Sequence, residues 1–230
     1  MRVGSKTDRG LVRELNEDAL GYRDHLFAVA DGMGGHEAGE IASAIAVESI
    51  LASETDSEPK TALETAVHRA NQAILDRIAL QPELSGMGTT LVVLVIRENQ
   101  AFTAHVGDSR IYLLTQNRLQ QVTHDHSLVA ELVKNGGLTE AEAKSHPQRN
   151  ILTQALGAKG ELEIEINSIS LMTGDRLLLC TDGLTGMLQD TEIQALLAQT
   201  KEPQAIAEDL VRTANERGGS DNISVIVIEI

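Results

Sequence analysis

The sequence predicts an α+β protein: a four-layer α-β-β-α sandwich, with two mostly antiparallel sheets flanked by helix pairs. Three observations point there. Helical patterns come two at a time between blocks of strands, unlike the regular alternation of a parallel βαβ sheet. Links between successive strand patterns are short, as at Arg97–Gln100 and Gln116-Asn117, and short links imply antiparallel neighbours. One strand-length run, Thr89–Ile96, is apolar throughout, which suits burial on both faces.

In chain order, Met1–Thr7 has the character of a short edge strand. Residues 8–20 are polar and irregular, and hold Arg13, Asn16, Glu17 and Asp18 close together. Strand character returns over Tyr22–Ala30, which places Asn16–Asp18 near one end of a hairpin. The apolar run Leu26–Ala30 stops at Asp31-Gly32, and Gly34 and Gly35 follow. Such glycines allow positive φ and a close approach of the backbone to a ligand. Ile41, Ala42, Ile45, Ala46 and Ile50 make a helical stripe over Glu37–Ala52, and Ser53–Pro59 breaks it. Leu63, Val67, Ala70, Ile74 and Ile78 make a second stripe over Lys60–Leu80, and Pro82–Gly88 is a loop.

Four strands follow: Thr89–Ile96, Ala101–Val106, Arg110–Leu114 after a corner at Gly107-Asp108-Ser109, and Arg118–Val122. Thr123–Leu156 changes character. It carries helix signals over Ser127–Lys134, a stop at Asn135-Gly136-Gly137, and a capping box, Thr139 with Glu142, opening a short helix that Pro147 ends. Leu162, Ile164 and Ile166 alternate with acids as in a half-exposed strand. Arg176–Thr181 is a second apolar run that stops at Asp-Gly, here Asp182-Gly183. Asp190–Gln199 and Pro203–Arg217 read as helices, the latter with Ile206, Leu210 and Ala214 on one side. Gly218–Asn222 is a turn before a strongly apolar last strand, Ile223–Ile230. With no linker or repeat to divide it, the chain reads as a single catalytic domain over residues 1–230, with a flap insertion at about 124–156.

Composition narrows the function. A formal net charge of -15 argues against broad nucleic-acid binding and against an anionic membrane surface. An anionic substrate would need bound cations or a few placed arginines. The one cysteine, Cys180, lies within an apolar run, so neither a disulfide nor a cysteine zinc site forms within the chain. The first residues hold no apolar segment fit for a signal peptide, and no run approaches transmembrane length. A cytoplasmic monomer is the expectation.

Glu17, Asp18, Asp31, Asp108, Asp182 and Asp221 all stand at strand ends or beside glycine corners. Brought together, such carboxylates would repel, protonate or move apart unless cations neutralised them. Oxygen donors without cysteine select Mg²⁺ or Mn²⁺. Two such ions about 3.5–4 Å apart can activate a water for in-line attack on a phosphate. Which corners meet is not legible from spacing.

Arg13-Glu14-Leu15-Asn16-Glu17-Asp18, Asp31-Gly32-Met33-Gly34-Gly35, Gly107-Asp108-Ser109-Arg110, Thr181-Asp182-Gly183-Leu184 and Gly219-Ser220-Asp221-Asn222-Ile223 together resemble the ordered motifs of the type 2C, metal-dependent protein serine/threonine phosphatases. The match runs over nearly the whole chain, and the length is similar to that of compact bacterial members. The resemblance implies the same sandwich, with metals in a cleft at one end. It implies Mg²⁺ or Mn²⁺ in a two-ion site, bridged by Asp31, with the Gly32 carbonyl on one ion and Asp182 and Asp221 on the other. Glu17 and Asp18 would act mostly through metal-bound water, and Asp108 would help hold a third, weaker ion. Arg13 would receive the phosphate of a phosphorylated protein substrate, since a planar guanidinium bonds two oxygens at once. A metal-bridging water would attack phosphorus directly, with no phosphoenzyme, and Cys180 lacks the arginine loop of cysteine phosphatases.

One position departs from the pattern. Many family members carry histidine directly after the Asp-Gly pair as a proposed general acid, and here Met33 stands there. His36 or a metal-bound water would have to protonate the leaving oxygen; His36 also reads as a helix-start residue. His146, before Pro147, becomes a candidate substrate contact through the resemblance, against the plainer reading of a surface loop histidine. His124 and His126 would share one face of a strand and so allow a zinc pair, but no third ligand is evident, and polar residues leading into the flap explain them as well. Two other functions compete: a degenerate, non-catalytic binding module, disfavoured by intact Asp31, Asp182 and Asp221, and a two-metal phosphodiesterase or nuclease, disfavoured by the net charge.

Overall fold

A run that is apolar at every position has to be covered on both sides, and the strands of this protein are. The computed structural model describes residues 1–34, 38–54 and 58–230. The first half contains β1 (Arg2–Asp8), β2 (Asp18–Arg23), β3 (Leu26–Met33), α1 (Gly39–Leu51), α2 (Pro59–Leu80), β4 (Gly88–Thr89), β5 (Leu91–Arg97) and β6 (Gln100–Val106). The second half contains β7 (Arg110–Thr115), β8 (Arg118–Gln121), α3 (Leu128–Lys134), α4 (Glu140–Ser145), β9 (Glu165–Ser170), β10 (Arg176–Cys180), α5 (Asp182–Thr185), α6 (Asp190–Leu197), α7 (Pro203–Glu216) and β11 (Ile223–Glu229). One sheet has the order β1-β11-β10-β7-β8, and the other β2-β3-β5-β6-β9, with β4 added to the end of β3. The strand pairs are antiparallel, as the short links require.

Strand alternation divides the buried residues into three layers. Leu26, Ala28 and Ala30 of β3 and Leu91, Val93 and Val95 of β5 face α1 and α2. Leu178 and Cys180 of β10 and Val225 and Val227 of β11 face α6 and α7. Phe27, Val29, Val92 and Leu94 meet Leu177, Leu179, Ile226 and Ile228 between the sheets. Each Val, Leu, Ile or Phe among them contributes about 1.5–3 kcal/mol on burial. α7 turns Ile206, Leu210 and Ala214 inward, as its spacing predicts. Pro59 opens α2 at its first turn, where Glu58 accepts from Thr61 N at 2.8 Å.

The strand expected over Tyr22–Ala30 is instead the middle of a hairpin. Arg23 pairs with Leu26, and the two-residue turn between them holds Asp24 at φ 52°, a conformation aspartate tolerates without the glycine that would have marked it. Gly88–Thr89, read as the end of a loop and the start of a strand, is a separate short strand on β3. Leu162 and Ile164 pack beneath the helix pair before β9 begins at Glu165. The link between the sheets, from β8 to β9, contains α3, capped by Ser127, and α4, opened by the expected Thr139–Glu142 capping box. α4 buries no residue, whereas Leu156 at the far end of the link is fully buried against α2 and β4. Among the described residues, no helix is long and apolar enough to cross a membrane.

Candidate active site

Antiparallel order brings distant corners to one end of the sandwich. β3 ends at that end and β2 begins there, with Asp18 directly opposite Asp31. β10 ends and β11 begins there, between Asp182 and Asp221. β6 crosses to β7 of the other sheet at the same end, through Gly107, Asp108 and Ser109. The expected acids therefore do converge. Asp31 is flanked by Asp18, Asp182, Asp108 and Asp221, each close enough to raise its pKa.

Buried hydroxyls and one amide hold the corners in place. Asp31 N donates to Thr90 Oγ1 at 2.9 Å, and Thr89 Oγ1 donates to Asp31 O at 2.8 Å. Thr90 and Ser109 share a hydrogen bond of 2.7 Å, tying β3 to the Asp108 corner. Thr181 Oγ1 donates to Asp18 Oδ2 at 2.9 Å, joining the two sheets. Asn222 accepts from Glu17 N at 2.8 Å and donates to Arg9 O and Leu15 O, so its side chain anchors the loop that carries Arg13 and Glu17. Gly32 is a steric necessity. A Cβ there would lie 2.1 Å from Gly39 O and 2.5 Å from Glu17 O, because α1 starts directly against the end of β3. Gly39 in turn gives its backbone N–H to the Glu17 carboxylate at the start of α1.

Crowded carboxylates resist ionising. Burial, then neighbouring acids, push Asp31 well above the usual carboxylate range. Asp182 takes a hydrogen bond from Asp31 and is itself raised, by burial and then by Asp221. Burial lifts Asp18 to about 7 and Asp108 to about 8, with Asp182 adding to both. Glu17 is raised by burial and by Glu40. Asp18 Oδ1, Asp182 Oδ1 and Glu40 Oε2 are buried and take no hydrogen bond. Unpartnered buried carboxylate oxygens are costly, and a hard divalent cation is the partner that suits them. No three carboxylates among the described residues bring an oxygen each within 4.8 Å of one another. The donors of the nest are oxygens alone, the set that suits Mg²⁺ or Mn²⁺ with several waters retained. The residues present fit such a group.

Arg13 reaches the rim. Its side chain is 48% exposed, and Nη2 donates to Asp221 Oδ2 at 2.8 Å. Arg110, which lies within the Asp108 motif, is engaged elsewhere: it makes a forked ion pair with Asp125 and donates to Tyr112 Oη, while its charge offsets part of the rise at Asp108 and Asp182. His146 ends α4 and accepts from Gln148 N at 3.2 Å; among the described residues no hydrogen bond joins it to the nest. His36 lies outside the described residues. The segment holding His124 and His126 is not a strand, yet both approach one carboxylate: His124, 87% exposed, bonds Glu165 at 2.8 Å, and His126 meets His105 beside the same Glu165. Sequence reasoning missed Asn222, Thr181 and Glu40. Glu40 lies in the first turn of α1, where an acid is ordinary, and Asn222 stood in a quoted motif without a role.

The family model described as protein phosphatase 2C matches residues 12–224. A Listeria welshimeri protein named serine/threonine phosphatase stp is 40% identical over 241 residues, covering 100% of this chain and 96% of that one. The crystal structure of the Mycobacterium tuberculosis serine/threonine phosphatase PstP/Ppp superposes with a TM-score of 0.94 at 39% identity, covering 100% of this chain and 98% of that chain. The catalytic domain of a serine/threonine protein phosphatase PstP in complex with two manganese ions gives a TM-score of 0.92 at 37% identity, covering 99% and 97%.

Proposed function

This chain belongs to the protein phosphatase 2C family, and from that premise we propose that it is a metal-dependent phosphatase acting on phosphoserine and phosphothreonine in proteins. The observation that carries the reading is the nest itself: five aspartates from separate corners, with Asp18 Oδ1 and Asp182 Oδ1 buried and unpartnered. Two ions of Mg²⁺ or Mn²⁺ would supply, when bound, an activated water for direct attack on phosphorus and a screen for its charge. Asp31 and the Gly32 carbonyl would hold them with Asp182 and Asp221. Asp18 and Glu17 would orient coordinated water, and Asp108 would contribute to a third, weaker position.

The chain's own groups do the rest. Arg13, at the solvent edge, exchanges Asp221 for two phosphate oxygens and sets the phosphorus over Asp31. Asn222 keeps that arginine in range by fixing the backbone on both sides of it. No phosphoenzyme forms through Cys180, which is fully buried and whose thiol burial pushes up to about 12. The leaving oxygen takes its proton from His36 or from water; Met33 has none to give. The excursion over residues 124–156, with α4 standing off the core, acts as a flap, where His146 meets the substrate protein. The net charge of -15 supports a cytoplasmic protein that avoids nucleic acid and membranes. Large exposed apolar side chains are scattered among the described residues, apart from Leu11, Val12 and Leu15 around Arg13, which supports a monomer.

The test is hydrolysis of phosphoserine and phosphothreonine peptides with Mn²⁺, with EDTA, and with phosphotyrosine and bis-ester controls. Activity should depend on the metal, prefer the two monoester classes, and vanish nearly completely in Asp31→Ala and Asp221→Ala. A stripped or mutated enzyme that still turned over would refute the proposal.

A further inference from the structure

A second constellation lies beside the nest but shares no ligand with it. His105, on β6, sits directly opposite Glu165 of β9 in the sheet register. Alternation along β6 sends Ala104 and Val106 toward the helices, so His105 faces the space between the sheets. There it meets His126, which enters from the other sheet's edge, with ring centroids 4.5 Å apart at 50°. One ligand atom each from His105, His126 and Glu165 lie within 4.8 Å of one another.

His105 is 1% exposed, and neither of its ring nitrogens takes or gives a hydrogen bond. Glu165 Oε2 lies 3.4 Å from His105 Nδ1, an ion-pair distance without hydrogen-bond geometry. A buried imidazole left in this state is costly. Around it, the other members are fixed. Glu165 accepts from His124 N at 3.0 Å and from Asn167 Nδ2 at 2.7 Å, the outer contacts that orient a ligating carboxylate. His126 is held by its own backbone, with N donating to Gly107 O at 2.8 Å and O accepting from Thr153 N at 2.9 Å.

We propose that His105, His126 and Glu165 form a binding site for a divalent transition ion of the zinc class, distinct from the all-oxygen nest at Asp31. Two imidazoles and one carboxylate are a zinc donor set, which leaves a fourth position for water. Zinc–ligand bonds of about 2.0–2.2 Å put tetrahedral ligand atoms roughly 3.4 Å apart, so side-chain rotations of about an ångström close the site. Burial and the neighbouring His105 depress the His126 pKa to about 4, which leaves its ring neutral near neutral pH; Nδ1 accepts from Gly107 N at 3.4 Å, and an ion would displace that contact or the proton on Nε2. Glu165 is held low by its histidine and asparagine contacts despite burial, so it stays anionic.

The experiment uses the metal-stripped full chain in excess Mg²⁺, which loads the oxygen nest, and counts Zn²⁺ bound by equilibrium dialysis. Wild type should take up one equivalent, and Asp31→Asn should keep it, since the nest contributes nothing. Glu165→Gln and His126→Asn should each weaken Zn²⁺ uptake by ten- to a hundredfold or more while circular dichroism stays native. Glu165 lies at a sheet edge and is partly exposed, so its variant tests the site even where His126→Asn unfolds. Absence of any Zn²⁺ equivalent in folded wild type overturns the proposal, as does an equivalent that survives in Glu165→Gln. Neither result depends on phosphatase activity.

Discussion

The nest should make the metal-free protein lose stability as the pH rises. Asp18 and Asp108 have folded pKa values of about 7 and about 8, against 3.8 for an ordinary aspartate. The sign follows from linkage. The folded state holds these protons more tightly than the unfolded state, so their contribution is full below 3.8 and is lost as pH climbs through the folded values. His126 works in the opposite sense, because its folded pKa of about 4 is below its ordinary 6.5 and it costs stability in acid. Most of the His126 penalty is relieved below pH 6.5, so a scan from about pH 6.5 to about pH 8.5 is dominated by the carboxylates. At about 1.4 kcal/mol per pKa unit, titrating Asp108 across that window costs about 2 kcal/mol, and Asp18 adds a smaller share. For a chain of this size that is a fall in Tm of roughly 4–8 °C. The assay is thermal unfolding followed by circular dichroism in EDTA, then with Mn²⁺. Mn²⁺ should remove most of the fall, and Asp18→Asn in EDTA should melt higher than wild type at the alkaline end. A flat Tm in EDTA, or the same Mn²⁺ increment at both ends of the scan, would refute the picture of a nest that needs cations.

Asn222→Ala removes hydrogen bonds to Glu17 N, Arg9 O and Leu15 O at once. A loss of roughly 2–4 kcal/mol is expected in urea unfolding, with a drop in kcat/KM as the Arg13 loop loosens. Gly32→Ala forces a methyl group onto Gly39 O and Glu17 O, and should cost about 2 kcal/mol or more and most of the activity, with far-ultraviolet circular dichroism unchanged. Arg13→Ala should raise KM for a phosphopeptide about tenfold with a smaller change in kcat, as one charge-assisted contact is lost; Arg13→Lys should recover little, since an ammonium has no fork. An unchanged KM in steady-state kinetics would remove Arg13 from the site.

Much of this was legible in the sequence for one physical reason. A strand covered on both faces cannot carry an acid within its run, so its first acid marks the place where the run leaves the core. Asp31 and Asp182 declare themselves that way, each following an apolar run and preceding a glycine that close packing demands: Gly32 against Gly39 O, and Gly183 against Asn222 O. What stayed hidden depends on register. Asp18 is legible as a corner acid near a hairpin end, but that it stands opposite Asp31 follows only from the turn at Asp24-His25, and β2, half-exposed along its length, has no apolar run to fix that register. His105 was equally concealed. It lies in an apolar strand and its partner Glu165 is distant in sequence, so only the β6–β9 pairing shows that a histidine and a carboxylate face each other.

The hydroxyls supply the step that pattern alone does not. Thr90, Ser109, Thr181 and Ser224 are all fully or almost fully buried, at the end of the sandwich where aliphatic residues would otherwise continue the core. Each is engaged: Thr90 with Asp31 N and Ser109, Thr181 with Asp18 and Ser224 N. A carboxylate set on an aliphatic floor would rotate away from its neighbours or draw the floor apart. On a floor of short, hydrogen-bonded hydroxyls it is held against the repulsion that raises its pKa, and its outer oxygen remains unpartnered. The nest is therefore a product of two opposed features in the same few strands: apolar alternation that buries them, and its replacement by serine and threonine at one end, where the acids have to be held facing one another.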